Sequence, residues 1–377
     1  MKAVIAGYAR SPFHFANKGL LARVRPDDLA SQVVKALLAR TDLDPALLED
    51  VILGCAYPEA SQGNNLARIV GLLSGLPQEV GGMTVNRFCG SSMSAIHIAA
   101  ANIEAGLGDA FLCVGVESMT QVPQGGFNFS PNPSLQEQTD AYVSMGRTAE
   151  NVAQRYSIPR AEQERMALES HHKAAAAREQ GRLRDEIVRI QTGTGEWITE
   201  DGCIRPNTSL DALAKLPPAF DENGVVTAGT SSPLTDGASA VLVTSDDFAA
   251  RHNLKPSARI RAVASAGCDP AAMGLGPIPA TQKALARAGL NADDLGVVEI
   301  NEAFASQALA CIGDLNLDPA TVNLDGGGMA IGHPLGATGA RITGKAAALL
   351  QREKVKYALA TQCIGGGQGV ATILEAL

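Results

Sequence analysis

Two similar stretches decide the fold: KALLARTDLDPALLEDVILG at residues 35–54 and KALARAGLNADDLGVVEIN at residues 283–301. Each predicts a helix, a short loop, an acidic turn and then a buried strand. They lie about 248 positions apart, with a one-residue slip in the loop. Similarity at one fixed offset indicates that an α/β unit has been duplicated.

The duplication extends to the segments that carry candidate chemistry. In the first half TVNRF leads into CGSSMSAIHIAAANIEAG, and in the second ATVNLDGGG leads to GHPLGATGARITGKAAALL. Both predict a strand, a turn of small residues and a helix, and each helix precedes a further buried strand, FLCVGV or YALATQC. Alternating strands and helices predict an α/β fold with mostly parallel or mixed sheets, which helices cover on both faces.

A stretch of different character separates the halves, over about residues 118–235. It contains a loop rich in Pro, Asn and Gly, QGGFNFSPNPSLQEQTD, and a polar helical run, PRAEQERMALESHHKAAAAREQGRL. We expect an inserted loop domain that binds substrate at 118–235, an N-terminal half at 1–117 plus 236–248, and a C-terminal half at 249–377. In the polar helix, the pair His171–His172 is expected to be solvated.

Composition restricts the classes of function. The 377 residues are 46% hydrophobic and carry a net charge of −8, which is typical of a globular protein and argues against a general nucleic-acid binder. The sequence contains no run of eighteen or more apolar residues, so no membrane-spanning helix is expected. Its first residues, MKAVIAGYARSPF, predict a strand and not a signal peptide. The seven cysteines form no CxxC pair, so we expect a reduced, cytoplasmic chain.

Cys89 is a candidate nucleophile. It lies in NRFCGSSM, at a predicted junction of strand and helix, where unpaired N–H groups and the helix dipole favour a thiolate. The small residues that follow leave room for a substrate carbon to approach. The alternative, from position alone, is a small thiol buried in the core.

Three further residues end predicted buried strands. His333, in GGGMAIGHPLGATGAR, is a candidate base or else an incidental histidine in a glycine loop. Cys363, in TQCIGGGQG, is a candidate general acid and base or else part of a plain turn. Asn301, in NEAF, belongs to a binding crevice or caps a helix. Strand ends of this kind gather at one crevice, and no cluster has the spacing of metal ligands.

The chain resembles the thiolase family over its whole length. The resemblance rests on VNRFCGSSM, MGRTAENVA, VTAGTSSPLTDGASAVL, INEAFASQALA, GGGMAIGHPLGATGAR and TQCIGGGQG, in that order. Ketosynthases share the duplicated fold, but their second-half motifs differ. The resemblance implies two duplicated α/β halves stacked as a five-layer αβαβα core, with the inserted loop domain lying over it.

The resemblance also implies a mechanism. Cys89, activated by His333, attacks a 3-ketoacyl-CoA, and Cys363 protonates the departing acetyl-CoA carbanion before it deprotonates an incoming CoA. One oxyanion hole would use His333 and a water held by Asn301, and the other the backbone N–H groups of Cys89 and Gly365. CoA is then a cosubstrate, and neither a metal nor a tightly bound cofactor is required.

Residues of the inserted domain bear on the substrate. Arg205 in CIRPNTS and Ser232 in GTSSP are implied to contact CoA. Ser144 stands where the biosynthetic acetoacetyl-CoA thiolases carry a histidine. The chain therefore looks like the degradative branch, an acetyl-CoA C-acyltransferase of fatty-acid β-oxidation. The alternative is a short-chain acetoacetyl-CoA thiolase working in the condensation direction.

Other classes of function stay open at this point. A decarboxylating ketosynthase would not need Cys363, a cysteine hydrolase would not need CoA, and an interaction protein on the same scaffold would not be acylated at Cys89. The family resemblance implies a homodimer or homotetramer, and it allows a β-oxidation hydratase/dehydrogenase subunit as a partner.

Overall fold

The computed structural model describes residues 2–377. Its strands, in chain order, are β1 Ala3–Arg10, β2 His14–Phe15, β3 Asp50–Gly54, β4 Gly81–Val85, β5 Ala110–Ser118, β6 Ile190–Gln191, β7 Trp197–Ile198, β8 Thr235–Ser245, β9 Ala258–Gly267, β10 Val297–Ile300, β11 Tyr357–Ile364 and β12 Gln368–Glu375. Its α-helices are α1 Pro26–Thr41, α2 Leu66–Leu73, α3 Ser91–Ala105, α4 Pro133–Gln138, α5 Met145–Arg155, α6 Arg160–Glu179, α7 Leu210–Ala214, α8 Asp246–Arg251, α9 Pro277–Ala288, α10 Ala305–Asp314, α11 Gly328–Ile331 and α12 Leu335–Glu353.

The two halves have the same strand order. The first runs β1-β8-β5-β3-β4 and the second β9-β12-β11-β10, and Val322 adds a parallel bridge beside β10 where β4 lies in the first half. In both, an outer helix and a central helix connect equivalent strands, so the repeated sequence folds as a repeated unit. The sheet is mixed: the strand pairs β3–β4, β3–β5 and β10–β11 are parallel, and the other strand pairs in it are antiparallel.

The predicted five layers are confirmed. Helices α3 and α12 form the central layer, because one apolar cluster joins them to strands of both halves, including Ile5, Ile52, Ile260 and Leu374. Helices α1 and α2 cover the outer face of the first half, and α9 and α10 cover that of the second. A short antiparallel pairing of Val4 and Ile5 with β9 makes the two half-sheets continuous.

Residues 119–234 lie between β5 and β8, which are hydrogen-bonded neighbours in the sheet. The polar run predicted within this stretch is α6. The expectation that both of its histidines are solvated is wrong for His171, which is buried and accepts a hydrogen bond from the Arg205 backbone N–H (3.1 Å), while His172 is exposed. Within residues 2–377, no helix is both long and apolar enough to cross a membrane.

Candidate active site

The predicted nucleophile lies in a single 3-10 turn, Phe88–Gly90, immediately before α3. Phe88 has a positive φ of 43°, a backbone conformation that is rare outside glycine and that often marks functional sites. The Gln362 side chain donates a hydrogen bond to the Cys89 carbonyl, so β11 of the second half holds the turn of the first. Sequence reasoning missed Gln362, whose only signal is its place beside Cys363 at a strand end.

Burial decides the protonation of Cys89. The residue is 8% exposed, and burial raises the pKa of its thiol to about 11, although the backbone N–H of Gly365 hydrogen-bonds to the sulfur and lowers this pKa. Glu117 raises it further through its charge. Burial therefore outweighs the helix N-terminus, which the sequence predicts to favour a thiolate, and Cys89 is a thiol.

Cys363 and Gly365 both interact electrostatically with Cys89. Burial raises the pKa of the Cys363 thiol well above its usual value, and the next largest contribution is the charge of Cys89. Gly365 follows the end of β11, and its N–H reaches the Cys89 sulfur. Both thiols are therefore protonated, and a backbone donor hydrogen-bonds to the first.

The tautomer of His333 follows from its hydrogen bonds. The Thr338 hydroxyl donates its proton to the Pro334 carbonyl (2.9 Å), so it accepts from Nδ1–H of His333 at 2.6 Å. Nε2 is then unprotonated and accepts from the Asn301 side-chain amide at 3.3 Å. Burial, helped by the charge of Arg341, lowers the pKa of His333 to about 3. His333 is therefore neutral, with Nε2 unprotonated.

The position of Asn301 is fixed by a backbone hydrogen bond in the sheet and by the close approach of Gly328 in α11. It follows β10, and its backbone N–H donates to the Thr361 carbonyl of β11 (3.0 Å). It does not cap a helix, because α10 begins at Ala305 with Phe304 as its N-cap, so that alternative is excluded. A Cβ at Gly328 would lie 2.7 Å from Asn301 Oδ1, so only glycine leaves this amide in place.

A buried carboxylate connects the two sides of the site. Glu117, in β5, accepts hydrogen bonds from the backbone N–H groups of Ala56 (2.8 Å), Tyr57 (3.2 Å) and Gly336 (2.8 Å), and from the Gln62 side chain (3.0 Å). It therefore ties the loop after β3 to the first turn of α12, just past His333. Its signal in the sequence is a lone carboxylate inside the apolar run FLCVGVES.

Part of the inserted segment covers this crevice. Met145, the first residue of α5, packs on the apolar cluster that contains Cys363 and Phe304. Ser144 caps α5 by accepting from the Arg147 backbone N–H (3.4 Å). Ser232 joins the same region through a backbone hydrogen bond to Ala303 (2.9 Å).

Arg205 stands apart from the other predicted residues. It is exposed and its guanidinium lies 5.3 Å from the centre of the Phe15 ring. No contact joins it to Cys89, His333 or Cys363 in the part of the chain that the structure describes. Among residues 2–377, no group of three or more His, Cys, Asp or Glu side chains could hold a metal ion.

Comparison with known proteins identifies the architecture. Residues 3–247 match the thiolase N-terminal domain and residues 254–376 the thiolase C-terminal domain. The chain is 49% identical to the 3-ketoacyl-CoA thiolase of Saccharophagus degradans, over 99% of this chain and 97% of that protein. It is 47% identical to the 3-ketoacyl-CoA thiolase of Shewanella denitrificans, over 99% of both chains.

Solved structures agree with these matches. Human mitochondrial 3-ketoacyl-CoA thiolase superposes with a TM-score of 0.92 at 40% identity, covering 99% of this chain and 98% of that one. The same human enzyme in complex with CoA also gives 0.92, at 39% identity, covering 100% and 98%. The prediction that His333 ends a strand is wrong, because it lies between α11 and α12. With both domains matched along nearly its full length, the chain belongs to the thiolase family and is an acyltransferase.

Proposed function

We propose that this thiolase family member cleaves 3-ketoacyl-CoA with CoA, giving acetyl-CoA and an acyl-CoA shortened by two carbons. The observation that carries the proposal is the match of both thiolase domains along nearly the whole chain, together with two buried thiols, Cys89 and Cys363, and a neutral His333. Thiolysis of a carbon–carbon bond needs one nucleophile and one separate acid, and this pair supplies both.

The first half-reaction forms an acyl-enzyme. His333 Nε2 takes the Cys89 proton as the sulfur attacks the keto carbon, so the new Nε2–H then faces the developing oxyanion. The carbonyl re-forms and the bond between C2 and C3 breaks, which leaves the C2 carbanion of acetyl-CoA. Cys363 gives its proton to C2, and acetyl-CoA departs.

The second half-reaction regenerates the enzyme. The Cys363 thiolate takes the proton of the incoming CoA thiol, and the CoA sulfur attacks the acyl group on Cys89. The backbone N–H of Gly365, which already reaches the Cys89 sulfur, is placed to serve the thioester oxyanion together with that of Cys89. When the intermediate collapses, Cys89 recovers its proton from His333.

We assign CoA binding to the inserted domain, residues 118–235, with Arg205 and Ser232 as contacts. Ser232 is hydrogen-bonded to the segment that follows Asn301, so it is tied to the catalytic crevice. An exposed arginine provides the local positive charge that a phosphate group needs on a protein with a net charge of −8. CoA is a substrate here, and no further cofactor enters the steps.

We propose the degradative branch as the subtype. Ser144 leaves a short polar side chain at the N-cap of α5, one residue before Met145, which packs on the Cys363 cluster. The relatives at 47–49% identity carry the name 3-ketoacyl-CoA thiolase, which agrees with this subtype. The second candidate is a short-chain acetoacetyl-CoA thiolase working in the condensation direction.

The test is the CoA-dependent loss of enolate absorbance from acetoacetyl-CoA and from a long-chain 3-ketoacyl-CoA. Faster cleavage of the long chain supports the degradative branch. Cleavage of acetoacetyl-CoA alone would favour the second candidate, and release of free acid without CoA would favour a hydrolase. If neither substrate is cleaved, the proposed reaction is wrong.

Two variants separate the roles of the thiols. Cys89→Ala should abolish acyl-enzyme formation from any acyl-CoA, because the nucleophile is gone. Cys363→Ala should still let a simple acyl-CoA label Cys89, but should block cleavage of the carbon–carbon bond, because the acid is gone. Mass spectrometry of the labelled protein and the absorbance assay measure the two effects. Equal tolerance of both changes would contradict the mechanism.

We further propose that the protein is a cytoplasmic homodimer or homotetramer, and that a hydratase/dehydrogenase subunit of β-oxidation is a candidate partner. Its seven cysteines are all free thiols, as expected in a reducing compartment. Sedimentation analysis of the purified chain, alone and with such a subunit, measures both assemblies.

A further inference from the structure

Four arginines surround one groove at the junction of the first half and the inserted segment. The groove has a volume of about 540 Å³, and we call it the arginine groove after Arg40, Arg178, Arg184 and Arg189. Arg40 is near the end of α1, Arg178 is near the end of α6, and the other two follow in the chain after α6. None of the groove's lining residues belongs to the catalytic set described above.

The charges of these arginines are not neutralised. No ion pair among residues 2–377 uses any of the four, whereas arginines such as Arg155, Arg182 and Arg251 form one. Arg40 donates only to the backbone carbonyls of Asp185 (2.7 Å) and Ile187 (2.9 Å). One carboxylate, Glu200, lines the groove, and Asp185 adjoins it, so positive charge remains in excess.

This excess is unusual for the molecule as a whole. The chain carries a net charge of −8, so its overall field repels anions, and a concentrated positive groove runs against that field. Four guanidinium groups around one cavity repel each other unless an anion lies between them. Guanidinium donors match phosphate oxygens in geometry, often in pairs of parallel hydrogen bonds.

The lining also has an apolar part. Leu183, Ile187 and Val188 contribute to the wall, and the volume lies in the range of small-molecule sites, about 300–1,000 Å³. We propose that the arginine groove binds a small anion with two or more linked phosphates, either inorganic or as the phosphate chain of a nucleotide. The site is separate from the thiolase crevice.

The protein contains its own reporter for this groove. Trp197 is the only tryptophan of the chain, and the Arg189 guanidinium lies 4.4 Å from the centre of its ring. A phosphate that draws Arg189 into the groove removes this cation–π contact and changes the emission of Trp197. Fluorescence therefore reads the groove directly, with no label and no dependence on thiolase turnover.

The experiment titrates the full chain with inorganic pyrophosphate and, separately, with ADP, at low ionic strength. We expect a saturable change of Trp197 fluorescence that weakens with added salt. Arg178→Gln and Arg184→Gln should each weaken binding by roughly tenfold, because each removes a charge-assisted hydrogen-bond donor. Tighter binding of ADP would identify a nucleotide, and equal binding would identify the phosphates alone as the determinant.

Arg23→Gln is the matched control. Arg23 is exposed and, like the groove arginines, takes part in no ion pair within residues 2–377, but it does not line the groove. Its variant should bind as the unmodified chain does, and all three variants should keep thiolysis within about twofold, since surface changes usually cost little.

Three results would overturn the proposal. The first is a titration in which neither probe gives a saturable change of Trp197 fluorescence. The second is an equal loss of affinity in Arg23→Gln, which would mean that only overall charge matters. The third is that CoA displaces the bound probe while Arg178→Gln and Arg184→Gln leave its affinity unchanged. The anion would then lie in the CoA site.

Discussion

At Cys89, burial and the end of a helix act on the thiol in opposite directions. A helix N-terminus stabilises a nearby anion by about 0.3–1 kcal/mol, and each pKa unit is worth about 1.4 kcal/mol. Burial of Cys89 raises its pKa from 9.0 to about 11, so burial outweighs the dipole. Cys89 therefore rests as a thiol, and the low pKa of His333 keeps the imidazole uncharged.

A pH series tests this resting state. Below the thiol pKa of about 11, the thiolate fraction rises tenfold per pH unit, so alkylation of Cys89 by iodoacetamide should rise through pH 6–9 without a plateau. Peptide mass spectrometry separates Cys89 from the half-buried Cys268. A plateau above about pH 6 would instead show a resting thiolate paired with a charged His333.

Thr338 is a positioning residue for His333. Thr338→Val keeps the shape but removes the acceptor for Nδ1–H, so the imidazole loses the preference that leaves Nε2 free. We expect kcat to fall about 10- to 100-fold with little change in KM. Thr338→Ser keeps the hydroxyl and should restore most of the rate. If Thr338→Val lowers only thermal stability, the hydroxyl does not act through His333.

At the scale of elements, the contact of α3 with α12 joins the halves at the site. The Ser92 hydroxyl accepts a hydrogen bond from the Ala340 backbone N–H (2.8 Å), and Gly339 faces the backbone of Met93. Because Cys89 precedes α3 and His333 precedes α12, the distance between these helices sets the distance between nucleophile and base.

Two glycine substitutions test this contact. A Cβ at Gly339 would collide with the Met93 backbone nitrogen, so Gly339→Ala should destabilise the fold by about 1–3 kcal/mol and slow thiolysis. A Cβ at Gly313, in α10, would meet open space, so Gly313→Ala should stabilise by about 0.5–1 kcal/mol. Urea unfolding measures both. Similar midpoints for the two variants would mean that the central helices can separate freely.

At the scale of the whole molecule, buried ion pairs tie the inserted segment to both halves. Arg10 of β1 contacts Glu186 (2.8 Å) and Asp201 (2.7 Å), and Lys345 of α12 contacts Glu186 (3.0 Å) and Asp325 (2.6 Å). Burial raises the pKa of Glu186, but Lys345 and Arg10 outweigh this and lower it. The network is charged at neutral pH, and it ties residues 186–201 of the inserted segment to β1 and α12.

Removing Arg10 should therefore be costly. Arg10→Met leaves buried carboxylates without their partner, and we expect a loss of about 3–5 kcal/mol of unfolding free energy. Arg251→Met breaks an exposed pair with Asp109 and should cost less than about 1 kcal/mol. Because the pKa of Glu186 is lowered on folding, its stabilisation is present above about pH 4.3 and is lost as pH falls through the folded pKa. Equal midpoints for the two variants in urea would contradict this assignment.

The sequence by itself determined the duplicated α/β unit and the places of Asn301, Cys363 and Cys89 at or shortly after the ends of strands. These follow from local pattern and from one repeat, and a pattern depends only on near neighbours in the chain. The five-layer class came from the family resemblance, and the strand predicted before His333 is replaced by the short helix α11. The repeat could not reveal that most strand pairs are antiparallel, because strand direction depends on which distant segments meet.

Only the tertiary structure decided how the site residues are protonated and held. The thiol form of Cys89 and the neutral form of His333 arise from burial, which no stretch of sequence reports. Glu117 accepts a hydrogen bond from the backbone N–H of Gly336, 219 residues away in the chain. Gln362 donates one to the carbonyl of Cys89, 273 residues away. A pKa and a hydrogen-bond partner depend on what surrounds a group in space, and folding alone brings those surroundings together.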